Sequence, residues 1–196
     1  MSRLDHKRGL IEEHDRNFAY ELADRLVEKP KLSVWMILIP IIFVFYMVQY
    51  QRYAKGRRDF IRNYLISPHR ALHAVHAAAA NGSKVDVDSI CQAKELAEES
   101  LPHYRSLMET LVEYYTALLN AKGETYAELV VGGFANVEAY RSALARLDLA
   151  WSGLIRSIGA QSQKADGEIL SATDRLEQFS KKMRQEEADF FFLKRG

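Results

Sequence analysis

Apolar residues recur along this chain in two ways. From Leu32 to Tyr50 they form a near-continuous run, with no charged residue and only Ser33 and Gln49 strongly polar, whereas beyond residue 51 they return every three or four positions. The continuous run of 19 residues rises ~28 Å as a helix, close to the thickness of a bilayer core. Trp35 lies near one end and Tyr46, Tyr50 and Tyr53 near the other, with Lys29 and Lys31 outside one edge and Arg52 and Lys55 outside the other. Aromatic rings and basic side chains favour the two membrane interfaces in this order. The pattern therefore predicts a transmembrane helix over 32–50, kinked at Pro40, where spanning helices tolerate the lost donor. A cleaved signal peptide fits less well, because the run comes after a mixed-charge segment and precedes no small-residue cleavage site. A shallow hairpin turning at Pro40 is the other arrangement the run allows.

Beyond the run, the spacing is helical almost throughout and gives no support to strands. The first helix, about 51–80, carries Phe60, Ile61, Tyr64, Leu72, Val75 and Ala79 on one face, bends at Pro68 and stops at "NGSKVD", residues 81–86. Asn-Gly adopts left-handed turn conformations cheaply, and Asp86 or Asp88 can cap a second helix. That second helix, about 87–121, shows Val87, Ile90, Ala97, Leu101, Tyr104, Met108, Leu111, Tyr115 and Leu118 in steps of three and four. This register passes through Pro102, which predicts a kinked helix, or a fresh one capped by Ser100. After the Lys122-Gly123 turn comes a third helix, about 124–158, with Val130, Phe134, Val137, Tyr140, Leu144, Leu147, Trp151, Leu154 and Ile158. The fourth, about 166–193, has Ile169, Thr173, Leu176, Phe179, Met183 and Phe190.

Each helix has an apolar stripe and none is apolar all round, so the stripes must face one another. An all-α fold is expected: one N-terminal membrane helix, then an elongated up-and-down bundle of four helices over residues 51–196. A three-helix bundle with the first helix lying on the membrane is the alternative. Residues 1–31 hold seven basic and seven acidic residues and a thin stripe of Leu4, Ile11, Phe18 and Leu22. They read as a short amphipathic helix with too little apolar surface for its own core, either a solvated tail or a piece that binds another protein.

The net charge of +1 hides an asymmetry. Residues 51–70 sum to +5 through Arg52, Lys55, Arg57, Arg58, Arg62 and Arg70 against Asp59, and residues 71–196 sum to −4. The acidic body argues against nucleic acid, which needs clustered cations. The basic collar suits anionic lipid, or simply sets topology. Three Lys or Arg precede the run within 15 residues and five come after it, which under the positive-inside rule places the bundle in the cytoplasm. At the other end, Phe190, Phe191 and Phe192 point ~100° apart on a helix, more than one stripe can bury. With helices of these lengths the path closes near its start, so these phenylalanines are expected beside the bilayer, with Lys194 and Arg195 on lipid phosphates.

Candidate chemistry is thin. His69, His73 and His76 lie at i, i+4 and i+7, a spacing seen in helical metal sites. Their wheel positions of ~60°, ~100° and ~40° flank a core centred at roughly 335°, which makes them boundary side chains. Glu99 and His103 lack the inward Glu-x-x-His pairing of di-iron bundles, and no phosphate-binding loop, HExxH, GxSxG or CxxC occurs. Cys91 is the single cysteine, so no internal disulfide forms. Gly132-Gly133 interrupts the third helix at a cost of ~2 kcal/mol against two alanines, which implies close packing, a hinge or a partner's docking patch. No catalytic residue, metal or cofactor is assigned. The expected function is a non-enzymatic, membrane-anchored adaptor, scaffold or accessory subunit, with the bilayer and a membrane-associated protein or a second copy as partners. The alternative is a ligand- or metal-responsive sensor module using the histidine stripe.

Overall fold

A computed structural model describes residues 2–26, 40–92, 96–161 and 167–193. Its helices are α1 (Arg3–Leu26), α2 (Pro40–Asn81), α3 (Val87–Cys91), a 3₁₀ turn (Glu98–Ser100), α4 (Leu101–Asn120), α5 (Tyr126–Gly133), α6 (Val137–Gln161) and α7 (Gly167–Leu193). No strand occurs among the described residues.

The expected single-pass membrane helix is corrected. Among the described residues no helix is long and apolar enough to cross a membrane. Only 40–50 of the predicted span lies in α2, about 16 Å of helix against a core of ~30 Å, and the rest of α2 is studded with charges. Residues 32–39, with Trp35, lie outside the described residues, as do Lys29 and Lys31. Pro40 is the first residue of α2, and the kink expected there depends on the residues before it, which lie outside those described. The membrane location and cytoplasmic orientation fall with the span.

The four-helix count is also corrected. The predicted second helix divides: Asp86 caps the five-residue α3 by accepting from Ser89 N at 3.2 Å, and α4 starts afresh at Leu101 with Pro102 in its first turn, where proline is tolerated. Ser100 occupies the N-cap position without capping. Its buried hydroxyl instead accepts from Ser157 Oγ at 3.0 Å, tying the start of α4 to α6. The predicted third helix divides at Gly133, and Asn136 Oδ1 then accepts from Ala139 N at 2.9 Å to begin α6. The glycines have a steric reason. A Cβ on Gly132 would lie 3.0 Å from the Lys122 carbonyl oxygen, and one on Gly133 would lie 2.9 Å from that of Ala117. Close backbone packing of α5 on the end of α4 therefore accounts for both. The turn at 81–86 uses Gly82 at φ +64°, as Asn-Gly predicts.

The N-terminal segment is not a solvated tail. Helix α1 buries Ile11, Ala19, Leu22 and Ala23, running antiparallel to α2 so that Asp24 meets Arg57, Phe18 meets Tyr64 and Asp5 meets His76. Lys7 Nζ donates to the Leu119 carbonyl at 2.9 Å, satisfying an orphan acceptor at the C-terminus of α4. The main core joins Ile11, Leu72, Leu107, Leu111, Leu118 and Leu144. A smaller cluster of Ala19, Ala23, Ile61 and Leu65 seals α1 to α2.

Cross-pairings also fix direction. Tyr115 reaches Asp15 and Leu119 reaches Lys7, so α4 runs in the same sense as α2. Glu113–Arg146 and Ser100–Ser157 make α6 antiparallel to α4, and α7 returns antiparallel to α6. The C-terminus consequently lies at the end away from the basic collar, correcting the expected return of Phe190, Phe191 and Phe192 to its level. The predicted long second leg is absent, since the described residues between α2 and α4 form a turn, the short α3 and the 3₁₀ turn, and every later helix has the sense opposite to that expected.

Candidate functional site

Two features of the structure concentrate polar groups against apolar surface, and both are built on α7. Ser180, Arg184 and Glu187 fall at i, i+4 and i+7, one face of that helix. Arg184 Nη1 donates to Asp148 of α6 and Nη2 to the Tyr64 hydroxyl of α2 at 3.3 Å, with Ser180 Oγ donating to Asp148 Oδ1 at 3.2 Å. The Phe18 ring of α1 lies 5.2 Å from the guanidinium carbon, a cation–π contact. Arg184 thus joins four helices. The pair is well enclosed, with side-chain exposures of 7% and 21%.

One turn further along, Glu187 bonds His14 Nε2. The His14 ring stacks on Tyr126 of α5 at 3.7 Å and 7°, and its buried Nδ1 has no hydrogen-bond acceptor, Asp15 Oδ1 standing at 3.6 Å. Tyr115 donates to Asp15 at 2.6 Å, and the Tyr114 hydroxyl joins those of Tyr126 at 2.8 Å and Tyr140 at 3.3 Å. Burial alone disfavours an imidazolium, but the negative charge of Asp15 3.6 Å from Nδ1, with the hydrogen bond and charge of Glu187, overrides it and raises His14 to about 9. Burial pushes Tyr64 up to about 12, and it raises Tyr114, Tyr115, Tyr126 and Tyr140 as well. At neutral pH this centre is a protonated histidine between two carboxylates, inside a shell of neutral phenols.

Beside it, a groove of about 640 Å³ opens between α6 and α7. Small residues Ala145, Ser152 and Ser180 leave the room, with Trp151 stacked on Tyr64 at 5.0 Å and Leu149 on the α6 wall. Ion pairs between the two helices flank the groove: Arg141 with Asp189 at 2.5 Å, and Arg156 with Glu177 through two bonds of 3.1 and 2.7 Å.

The residues singled out from the sequence lie elsewhere. Arg57 makes two bonds to Asp24, at 2.5 and 3.1 Å, and covers the Tyr20 ring. Arg52, Lys55 and Arg58 are exposed on α2 near half-buried Tyr53. Tyr46 and Tyr50 belong to the first turns of α2. Phe191 packs on Tyr126 and Phe192 on Tyr140, so both join the core, while Phe190 is 53% exposed. His69 and His73 line a shallow, open groove of about 580 Å³ with Ser89, Ile90 and Gln92, whereas His76 Nε2 meets Asp5 Oδ1 at 3.1 Å. Among the described residues, no group of three or more His, Cys, Asp or Glu side chains is placed to hold a metal ion. Burial pushes the Cys91 thiol up.

His14, Asp15, Asp148, Arg184 and Glu187 went unnoticed in the sequence, although a signal was there. The stripe Leu4, Ile11, Phe18, Leu22 skips positions 7 and 14–15, and Met183 to Phe190 skips 187. Lys7, His14, Asp15 and Glu187 fill those gaps in phase, and a charged residue at a core phase requires a buried partner. Comparison with protein-family models, curated proteins and solved structures returns no match.

Proposed function

We propose that the chain is a non-enzymatic binding module, an adaptor or accessory subunit, that receives an apolar group of its partner in the groove between α6 and α7. The observation that carries this reading is Leu149, which stands 76% exposed beside a cavity of about 640 Å³. A cavity of that size falls within the roughly 300–1,000 Å³ of small-molecule and side-chain pockets. Groups suited to chemistry are committed to structure. A general base needs a free lone pair at working pH. His14 lacks one until pH approaches 9, and the buried phenols hold their protons beyond that. Asp148 and Arg184 neutralise each other. The ligand-responsive alternative moves from the histidine stripe to this groove, since His76 is engaged by Asp5.

The test places a photoreactive benzophenone amino acid at position 149 of the full chain, in the cells that make it. Irradiation is expected to give a discrete adduct, resolved by intact mass, that is absent when the same group replaces Arg146 on the α4-facing side of α6. Equal labelling at the two positions, or none at 149, refutes the reading.

A further inference from the structure

The groove has two unlike halves. Towards the Arg156–Glu177 pair its walls carry Leu149, Ile155 and Leu176; towards the Arg141–Asp189 pair they carry Ala145 and Gln185. Its charges are also unevenly satisfied. Asp148, Glu177 and Asp189 are each matched by an arginine. Lys181 is exposed at the junction of the two halves, next to Ser180 in the chain and about one turn before Arg184, with no carboxylate partner among the described residues. The groove therefore offers one uncompensated positive charge beside a strip of aliphatic surface. From the level of Asp148 to that of Ile155 the strip runs ~10 Å along α6.

Resting on the binding-module reading above, we infer that this groove binds a single-chain anionic amphiphile, its chain along Leu149, Ile155 and Leu176 and its carboxylate at Lys181. Several features favour this occupant. An unpaired ammonium at the mouth attracts one negative charge without disturbing the buried Arg184–Asp148 pair. The Gln185 amide stands beside it as a second donor for a carboxylate oxygen. Two antiparallel helices wall the aliphatic half, and Glu177, paired with Arg156, stands at its far end. A neutral apolar ligand would leave Lys181 unused, and a dianion would find one cation where it needs two.

The experiment uses the full chain carrying Trp35→Phe, so that Trp151 in the groove is the sole tryptophan. Octanoate and 1-octanol, of equal chain length, are titrated while Trp151 emission is monitored. Octanoate is expected to bind at least tenfold more tightly than octanol. Lys181→Met should remove that preference and leave octanol affinity unchanged, and Leu149→Asp should weaken both at least tenfold with an unaltered circular dichroism spectrum. Equal binding of octanoate and octanol, or an equal loss of both in Lys181→Met, overturns the carboxylate assignment while leaving the groove as a binding site. If neither compound binds and benzophenone at 149 captures a polypeptide, the occupant is a partner's amphipathic segment, and the amphiphile inference falls alone. If neither binds and no adduct forms, both readings fall.

Discussion

His14 gives the structure its most exacting test. Its imidazolium lies between Asp15 and Glu187, whose side chains are 14% and 18% exposed, and faces Tyr126 of α5 with Tyr114 and Tyr115 of α4 close by. A rise from an ordinary 6.5 to about 9 corresponds to ~3 kcal/mol of stabilisation from the protonated form. Because the folded value exceeds the unfolded one, that contribution is fully present below pH 6.5 and is lost as pH climbs through 9. The perturbation is His14→Gln, which keeps a polar side chain of similar reach and abolishes the charge. Urea unfolding of both proteins at pH 6, 7.5 and 9.5 measures the difference. At pH 6 the variant should be less stable by ~3 kcal/mol, within the range for removing one partner of a buried ion pair, and the gap should shrink to under ~1 kcal/mol at pH 9.5. A gap that stays constant across the three pH values would falsify a buried imidazolium, since loss of packing alone carries no pH dependence.

The packing dictates two further outcomes. Gly133→Ala should lower stability by ~1–3 kcal/mol despite the better helix propensity of alanine, because the new Cβ meets the backbone of Ala117 at 2.9 Å. Gly153→Ala, whose nearest neighbour is the movable His103 ring at 3.1 Å, should be close to neutral, and thermal unfolding of the two variants side by side checks the contrast. Arg184→Met should cost ~3–5 kcal/mol by leaving Asp148 uncompensated, and adding Asp148→Asn should recover part of the loss in urea titrations. A double variant no more stable than Arg184→Met would mean that the pair is not coupled.

Helical spacing alone determined much of this molecule. The stripes through Leu72 and Val75, Tyr104 to Leu118, and Tyr140 to Leu154 face the core as their period demands. The turn at Asn81-Gly82 and the cap at Asp86 were legible because each depends on residues within a few positions. Whatever depended on the chain's return to itself was not legible. Register ran unbroken through Pro102 and Gly133, yet both places are helix boundaries; the fresh start near Pro102 was one of two arrangements the sequence allowed, and the packing of α5 on the end of α4 and the contact between Ser100 and Ser157 decided where each break falls. An apolar run of 19 residues with aromatic and basic residues at its edges predicted a span, but the structure begins α2 at Pro40 and leaves no described helix able to cross a membrane. Residues 1–31 looked too polar to pack, since Lys7, His14 and Asp15 interrupt their stripe. Their partners, the Leu119 carbonyl, Glu187 and Tyr115, lie 100 or more residues away in the chain. Charge at a core position is readable in one dimension only as an anomaly. The group that satisfies it is decided by which distant helix arrives beside it, and that arrival also carved the groove between α6 and α7.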